Sequence, residues 1–87
     1  MPEHKINIRI GVVVLDWNKP MQARRCAESV LAEFDQLSKN IECRLVIVDN
    51  GSEKAAFKST QGWAMGIEDS RVSLQRNDSN YGFAKGM

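Results

Sequence analysis

Two stretches of this sequence set chemistry-bearing side chains directly behind apolar runs. In RLVIVDNGSEK, residues 44–54, a β-branched run stops on Asp49, Asn50, Gly51 and Ser52. In GVVVLDWNKP, residues 11–20, another stops on Asp16, Trp17 and Asn18. A third polar cluster, Asn77 to Gly82, follows RVSLQR, with Lys85 just beyond it. A carboxylate held at a strand end, such as Asp49, can accept two hydrogen bonds from a ribose or a base amide. Trp17 offers a flat face to a ring. Helix N-termini after Asn18 and Ser52 would present free N–H groups and a positive dipole end to a phosphate. Gly82 and Gly86 allow close backbone approach, and Lys85 brings a positive charge. Each residue also has a plainer reading. Asp49 and Ser52 can cap the helix that follows, and Asn18 can cap the one before it. Trp17 can be ordinary packing, Gly82 and Gly86 turn residues, and Lys85 a solvated side chain. His4 is assigned nothing, and Arg24-Arg25 reads as a wet helix face. There is no P-loop, no GxGxxG and no metal-ligand cluster.

The elements that must hold these residues follow from periodicity. Ile6, Ile8 and Ile10 alternate with Asn7 and Arg9, and Val12 to Leu15 then run without interruption. That pattern predicts a strand over residues 6–17, covered on both faces. In the next segment Ala27, Val30, Leu31, Phe34 and Leu37 recur at three- and four-residue spacing, which predicts a helix. Pro20 suits its first turn, and Ser38-Lys39-Asn40 ends it. Residues 42–49 predict a second continuous strand. Asn50-Gly51 would ordinarily suggest a hairpin, but no strand follows. Instead Ser52 can cap a helix starting at Glu53, with Ala56, Phe57, Thr60 and Ala64 as a weak stripe and Gly66 at its end. Residues 71–76 alternate and predict a third strand. The order β-α-β-α-β predicts an α/β fold: a three-layer sandwich with a parallel, Rossmann-like sheet and right-handed crossovers. In such sheets ligands bind beyond the carboxyl ends of the strands, where all three polar clusters fall.

Bulk properties narrow the classes. The 87 residues suffice for one domain, residues 1–87, with no linker or repeat. Hydrophobic residues at 43% and charged residues at 26% are ordinary for a globular chain and argue against disorder. A net charge of +1 leaves no electrostatic case for nucleic acid or an anionic membrane. No apolar run approaches the roughly 20 residues of a membrane span, and the N-terminus lacks the apolar core and cleavage site of a signal peptide. Cys26 and Cys43 have no metal-type spacing, and nothing calls for an oxidising compartment. They read as two small buried hydrophobes, and the protein as cytoplasmic.

Taken together, VVVLDWNKP, LVIVDNGSEK and RVSLQRNDSNYGFAKGM resemble the opening segments of family 2 glycosyltransferases of GT-A fold, rhamnosyltransferase-like branch. The resemblance runs from about Ile8 to Met87, with the three motifs in order. Singly they are weak; as an ordered set they are fairly specific. It implies a truncated GT-A fold, the nucleotide-binding portion of an enzyme that transfers a sugar from a nucleotide-diphosphate sugar to a hydroxyl acceptor. It implies nucleotide-binding roles for Trp17 and Asn18 beside the base, for Asp49 on the nucleoside with Asn50 next to it, for Gly82 in the Asn80–Ala84 segment that lines the same pocket, and for Lys85 next to that segment. No catalytic residue is carried over.

In that family the metal-binding Asp-x-Asp motif lies downstream of Gly-Phe-Ala, so by the resemblance this chain is expected to be a fragment of a longer enzyme or a truncated relative, without that motif, the acceptor half or the catalytic base. A divalent cation, Mg or Mn, is therefore expected for the full-length enzyme and none for this chain alone, which is expected to be inactive by itself. The resemblance also places a further strand on the far side of the first one. Left open, an edge reading GVVVL would invite a homodimer through residues 8–15. The rival class is a small non-catalytic α/β module that binds a nucleotide or a protein partner.

Overall fold

The computed structural model describes residues 8–77. β1 spans Ile8–Asp16, α1 Pro20–Asp35, β2 Ile41–Asn50, α2 Lys54–Gly66 and β3 Val72–Asn77. The three strands form one parallel sheet in the order β1-β2-β3. The expected element order and parallel α/β arrangement are therefore present.

Alternation along the strands determines which residues meet the helices. Val14, Cys43, Leu45 and Ile47 are buried with Ala23, Ala27 and Phe34 of α1. Ile10, Val12, Val72 and Leu74 pack against the same cluster. Thr60 of α2 donates to Asp16 on that face, so both helices lie on one side of the sheet. This follows from the strand order: two successive steps in one direction, with crossovers of the same hand, leave both helices on one face. Leu45 and Ile47, at the centre, have no exposed surface. Burying side chains of this size contributes about 1.5–3 kcal/mol each.

The opposite face differs from the expectation for residues 12–15. Val13 and Leu15 are 61% and 64% exposed, and in register they sit beside Val46 and Val48. Among the described residues this face has no covering layer, so the described fold has two layers. β1 lies at one edge of the sheet, with no partner on its outer side among the described residues.

Element ends also differ in detail. α1 stops at Asp35, where the Gln36 N–H turns back to Glu33 and the Leu37 N–H to Phe34; Leu37 falls outside the helix and is exposed. Beyond Gly66, the left-handed position belongs to Glu68, φ 50°, rather than to a glycine. Cys26 is exposed and only Cys43 is buried, both as free thiols. Cys26 sits on α1 between the buried positions Ala23 and Ala27, which define the inner face. Arg24 and Arg25 are on the outer side, where Arg24 pairs with Glu28 at 3.2 Å.

Candidate functional site

The carboxyl ends of the strands bring three charged side chains into one row. Asp16 of β1 lies opposite Asp49 of β2, and Asp49 lies opposite Arg76 of β3. All three point to the helix side, the side of Val14, Ile47 and Leu74, because they follow those residues by two positions.

The two aspartates are buried, at 1% and 0% exposure, and each organises the turn that follows its strand. Asp16 Oδ1 accepts the Lys19 N–H at 3.1 Å, and Oδ2 accepts the Thr60 hydroxyl at 2.8 Å. Asp49 Oδ2 accepts the Ser52 N–H at 3.0 Å. Between them, Gly51 takes φ 85°, a left-handed conformation that glycine adopts without steric cost. This is why Asn50-Gly51 turns the chain into α2 instead of a hairpin.

The carboxylates differ in what remains open. Both oxygens of Asp16 are engaged. Asp49 Oδ1 is buried with no hydrogen-bond partner among the described residues. Leaving a buried acceptor unmet costs about 1–3 kcal/mol, and more when it is charged. The nearest cation is Arg76, whose Nε lies 3.6 Å from Asp49 Oδ2. Arg76 Nη2 donates to the Ser52 carbonyl at 2.8 Å, and its guanidinium sits 4.3 Å from the Phe57 ring centroid. The Arg76 side chain is 34% exposed.

Asn18 and Ser52 do not cap the helices as expected. Lys19 is the N-cap of α1 and Glu53 that of α2, neither with a side-chain cap bond. Asn18 instead adopts φ 58° and crosses to the other turn. Its N–H donates to Ser52 Oγ at 2.7 Å, and its Oδ1 accepts the Glu53 N–H at 2.7 Å. The N–H groups of both N-caps are thus taken by protein oxygens, and Pro20 has none. The helix ends therefore have fewer free donors for a phosphate than the sequence implies. Asn50 accepts from Asn77 Nδ2 at 3.3 Å, tying the ends of β2 and β3.

Trp17 is 54% exposed and faces elsewhere. It lines a groove of about 430 Å³ between the β1 edge and α1, with Val13, Leu15, Gln22 and Cys26. Asp49 does not line that groove. The structure thus gathers Asn18, Asp49 and Asn50 and leaves Trp17 beside them; Gly82 and Lys85 lie outside the described residues. Arg76, Phe57 and Thr60 were not expected at the site. The one signal for Arg76 was its place next to the end of the third strand, where a lone cation is readily taken as solvated.

One further charged group is structural. Arg71 joins Asp69 at 2.7 Å and Asp35 at 2.9 Å. Hydrogen bonding to Asp69 and then Asp35 raises the Arg71 pKa, and the Arg71 hydrogen bond holds the Asp69 carboxyl below its ordinary value. Among the described residues no group of three or more His, Cys, Asp or Glu is placed to hold a metal ion. No helix among the described residues is long and apolar enough to cross a membrane. No protein-family model and no curated protein matches the chain.

Proposed function

We propose that this chain is the donor-nucleotide-binding part of a glycosyltransferase, resembling family 2 enzymes of GT-A fold, that acts on a nucleotide-diphosphate sugar. The observation that carries the reading is Asp49. It lies at the carboxyl end of the central strand, its backbone turn needs only Oδ2, and Oδ1 is buried without a hydrogen-bond partner among the described residues. A carboxylate oxygen that costs stability and serves no internal bond is suited to accept a hydrogen bond from a base amide or a ribose hydroxyl. Arg76 is the neighbour able to open the way. It is partly exposed and held by a long ion pair, an aromatic stack and a hydrogen bond to the Ser52 carbonyl, so rotating it costs that bond and the stack. The proposal includes the third layer of the sandwich, over Val13, Leu15, Val46 and Val48, and a cytoplasmic location.

The test is calorimetric titration of the chain with UDP, GDP and dTDP, with and without Mg or Mn. Weak, metal-independent binding that Asp49→Ala abolishes supports the proposal. Silence with every nucleotide would rule it out. The uncovered apolar face favours a second reading, a non-catalytic module whose sheet docks on a protein; a stable complex that buries Val13 and Leu15, formed without nucleotide, would favour it.

A further inference from the structure

We infer that Asn18 is a positioning residue: it clasps the two strand-to-helix turns together and so holds Asp49 in place, rather than touching a ligand through its own carbonyl. Three observations carry this. First, Asn18 takes φ 58°, which residues other than glycine rarely adopt and which asparagine tolerates better than most. Second, that conformation lets the residue use main chain and side chain on two adjacent residues of the other turn. Its N–H reaches Ser52 Oγ and its Oδ1 meets the Glu53 N–H, both at 2.7 Å, across 34 and 35 residues of sequence. Third, Ser52 leads directly to the candidate site. Its N–H holds Asp49 Oδ2 at 3.0 Å, and its carbonyl holds Arg76 at 2.8 Å. Ser52 is 3% exposed, so displacing it means repacking. The path runs from Asn18 through Ser52 to both Asp49 and Arg76.

The clasp decides which part of Asn18 is available. Oδ1 is engaged by the Glu53 N–H, and the amide nitrogen is not needed for the clasp. The clasp also supplies the acceptor for the Glu53 N–H at the start of α2, which no side chain of that turn takes, whereas the Lys19 N–H at the start of α1 is served by Asp16 of its own turn. The ligand-binding consequence rests on the nucleotide reading above; the clasp itself does not.

The two parts separate in one experiment on the whole chain. Asn18→Gly keeps the left-handed backbone and removes the acceptor; Asn18→Asp keeps both. Without ligand, amide exchange and proton shifts are followed by NMR. In Asn18→Gly the Glu53 amide should exchange about two- to tenfold faster, the range that loss of one hydrogen bond implies. The Ser52 amide proton, which reports its bond to Asp49, should shift as well. Asn18→Asp should restore both. Unchanged Glu53 protection and an unmoved Ser52 amide in the folded glycine variant would overturn the clasp. With UDP as probe, Asn18→Gly should weaken binding between about threefold and a hundredfold, the scale of a small misplacement, and Asn18→Asp should recover it. Equal affinity of parent and glycine variant would overturn the positioning role. If the parent itself binds no nucleotide, the nucleotide reading fails, and the two amide signals still decide the clasp.

Discussion

Replacing Thr60 with valine tests the brace behind the candidate site. Thr60 is 2% exposed in the middle of α2, and its hydroxyl donates to Asp16 Oδ2 at 2.8 Å across 44 residues of sequence. Asp16 is 1% exposed, so water cannot replace a lost donor. Threonine and valine are both β-branched and have similar helix propensity, so the helix itself is little affected. What changes is one hydrogen bond to a charged acceptor, worth about 1.5–3 kcal/mol. For a domain of this size each kcal/mol moves the melting midpoint by about 4–8 °C, so Thr60→Val should melt about 6–24 °C lower. Urea unfolding at neutral pH, followed by circular dichroism, measures the free energy directly. Thr60→Ser keeps the hydroxyl, loses one methyl group, and should be the milder change. In a double-mutant cycle with Asp16→Ala, the coupling should reach at least about 1 kcal/mol, as expected for residues in contact. A Thr60→Val protein within about 0.5 kcal/mol of the parent, or a serine variant equally damaged, would refute the claim that this bond holds α2 to β1.

Asp49→Asn should abolish nucleotide binding while changing unfolding free energy by no more than about 1 kcal/mol. The lost pair with the partly exposed Arg76 is weak at 3.6 Å, and a neutral buried group replaces a charged one. A loss above about 2 kcal/mol in urea unfolding would make Asp49 a structural residue. Asp69, lowered from its ordinary 3.8 by Arg71, binds protons less readily folded than unfolded. Its stabilisation is therefore complete above 3.8 and declines as pH falls through that value toward the folded pKa; Asp69→Asn should flatten this part of the acid unfolding profile, and an unchanged profile would contradict it. The edge of β1, unpaired among the described residues, should pair two copies of the chain, giving a dimer in sedimentation velocity at high concentration. Val13→Lys should return it to a monomer, and a parent that stays monomeric counts against edge pairing.

Much of the architecture was legible from local pattern. Val12–Leu15 and Leu45–Val48 are uninterrupted β-branched or leucine runs, and Ala27, Val30, Leu31 and Phe34 repeat at helical spacing. These are the signals that period alone carries, and the five elements lie where they point. Boundaries were less legible. Leu37 kept the spacing of α1 but fell beyond its end, because the Gln36 and Leu37 N–H groups turn back to Glu33 and Phe34. The continuous run in β1 suggested cover on both faces. The strand order placed both helices on one, a choice that the alternation within a single strand does not encode.

The candidate site divides in the same way. Asp16 and Asp49 stand out in the sequence because a strand that ends on a carboxylate is a local event, and each aspartate bonds the N–H three residues on. Asn18 and Ser52 have the composition of helix caps, and composition predicts capping of the nearest helix. Only the tertiary structure could redirect them to each other, 34 residues apart. It alone made Thr60 the partner of Asp16, across 44 residues, and Arg76 that of Ser52, across 24. The physical reason is range. Propensity and hydrophobic period act within a few residues, whereas a buried polar atom is satisfied by whatever the packed sheet brings beside it. Sequence alone therefore determined the strands, the helices and the two aspartates that end β1 and β2. The fold decided which of those aspartates has both oxygens bonded and which keeps one without a partner among the described residues.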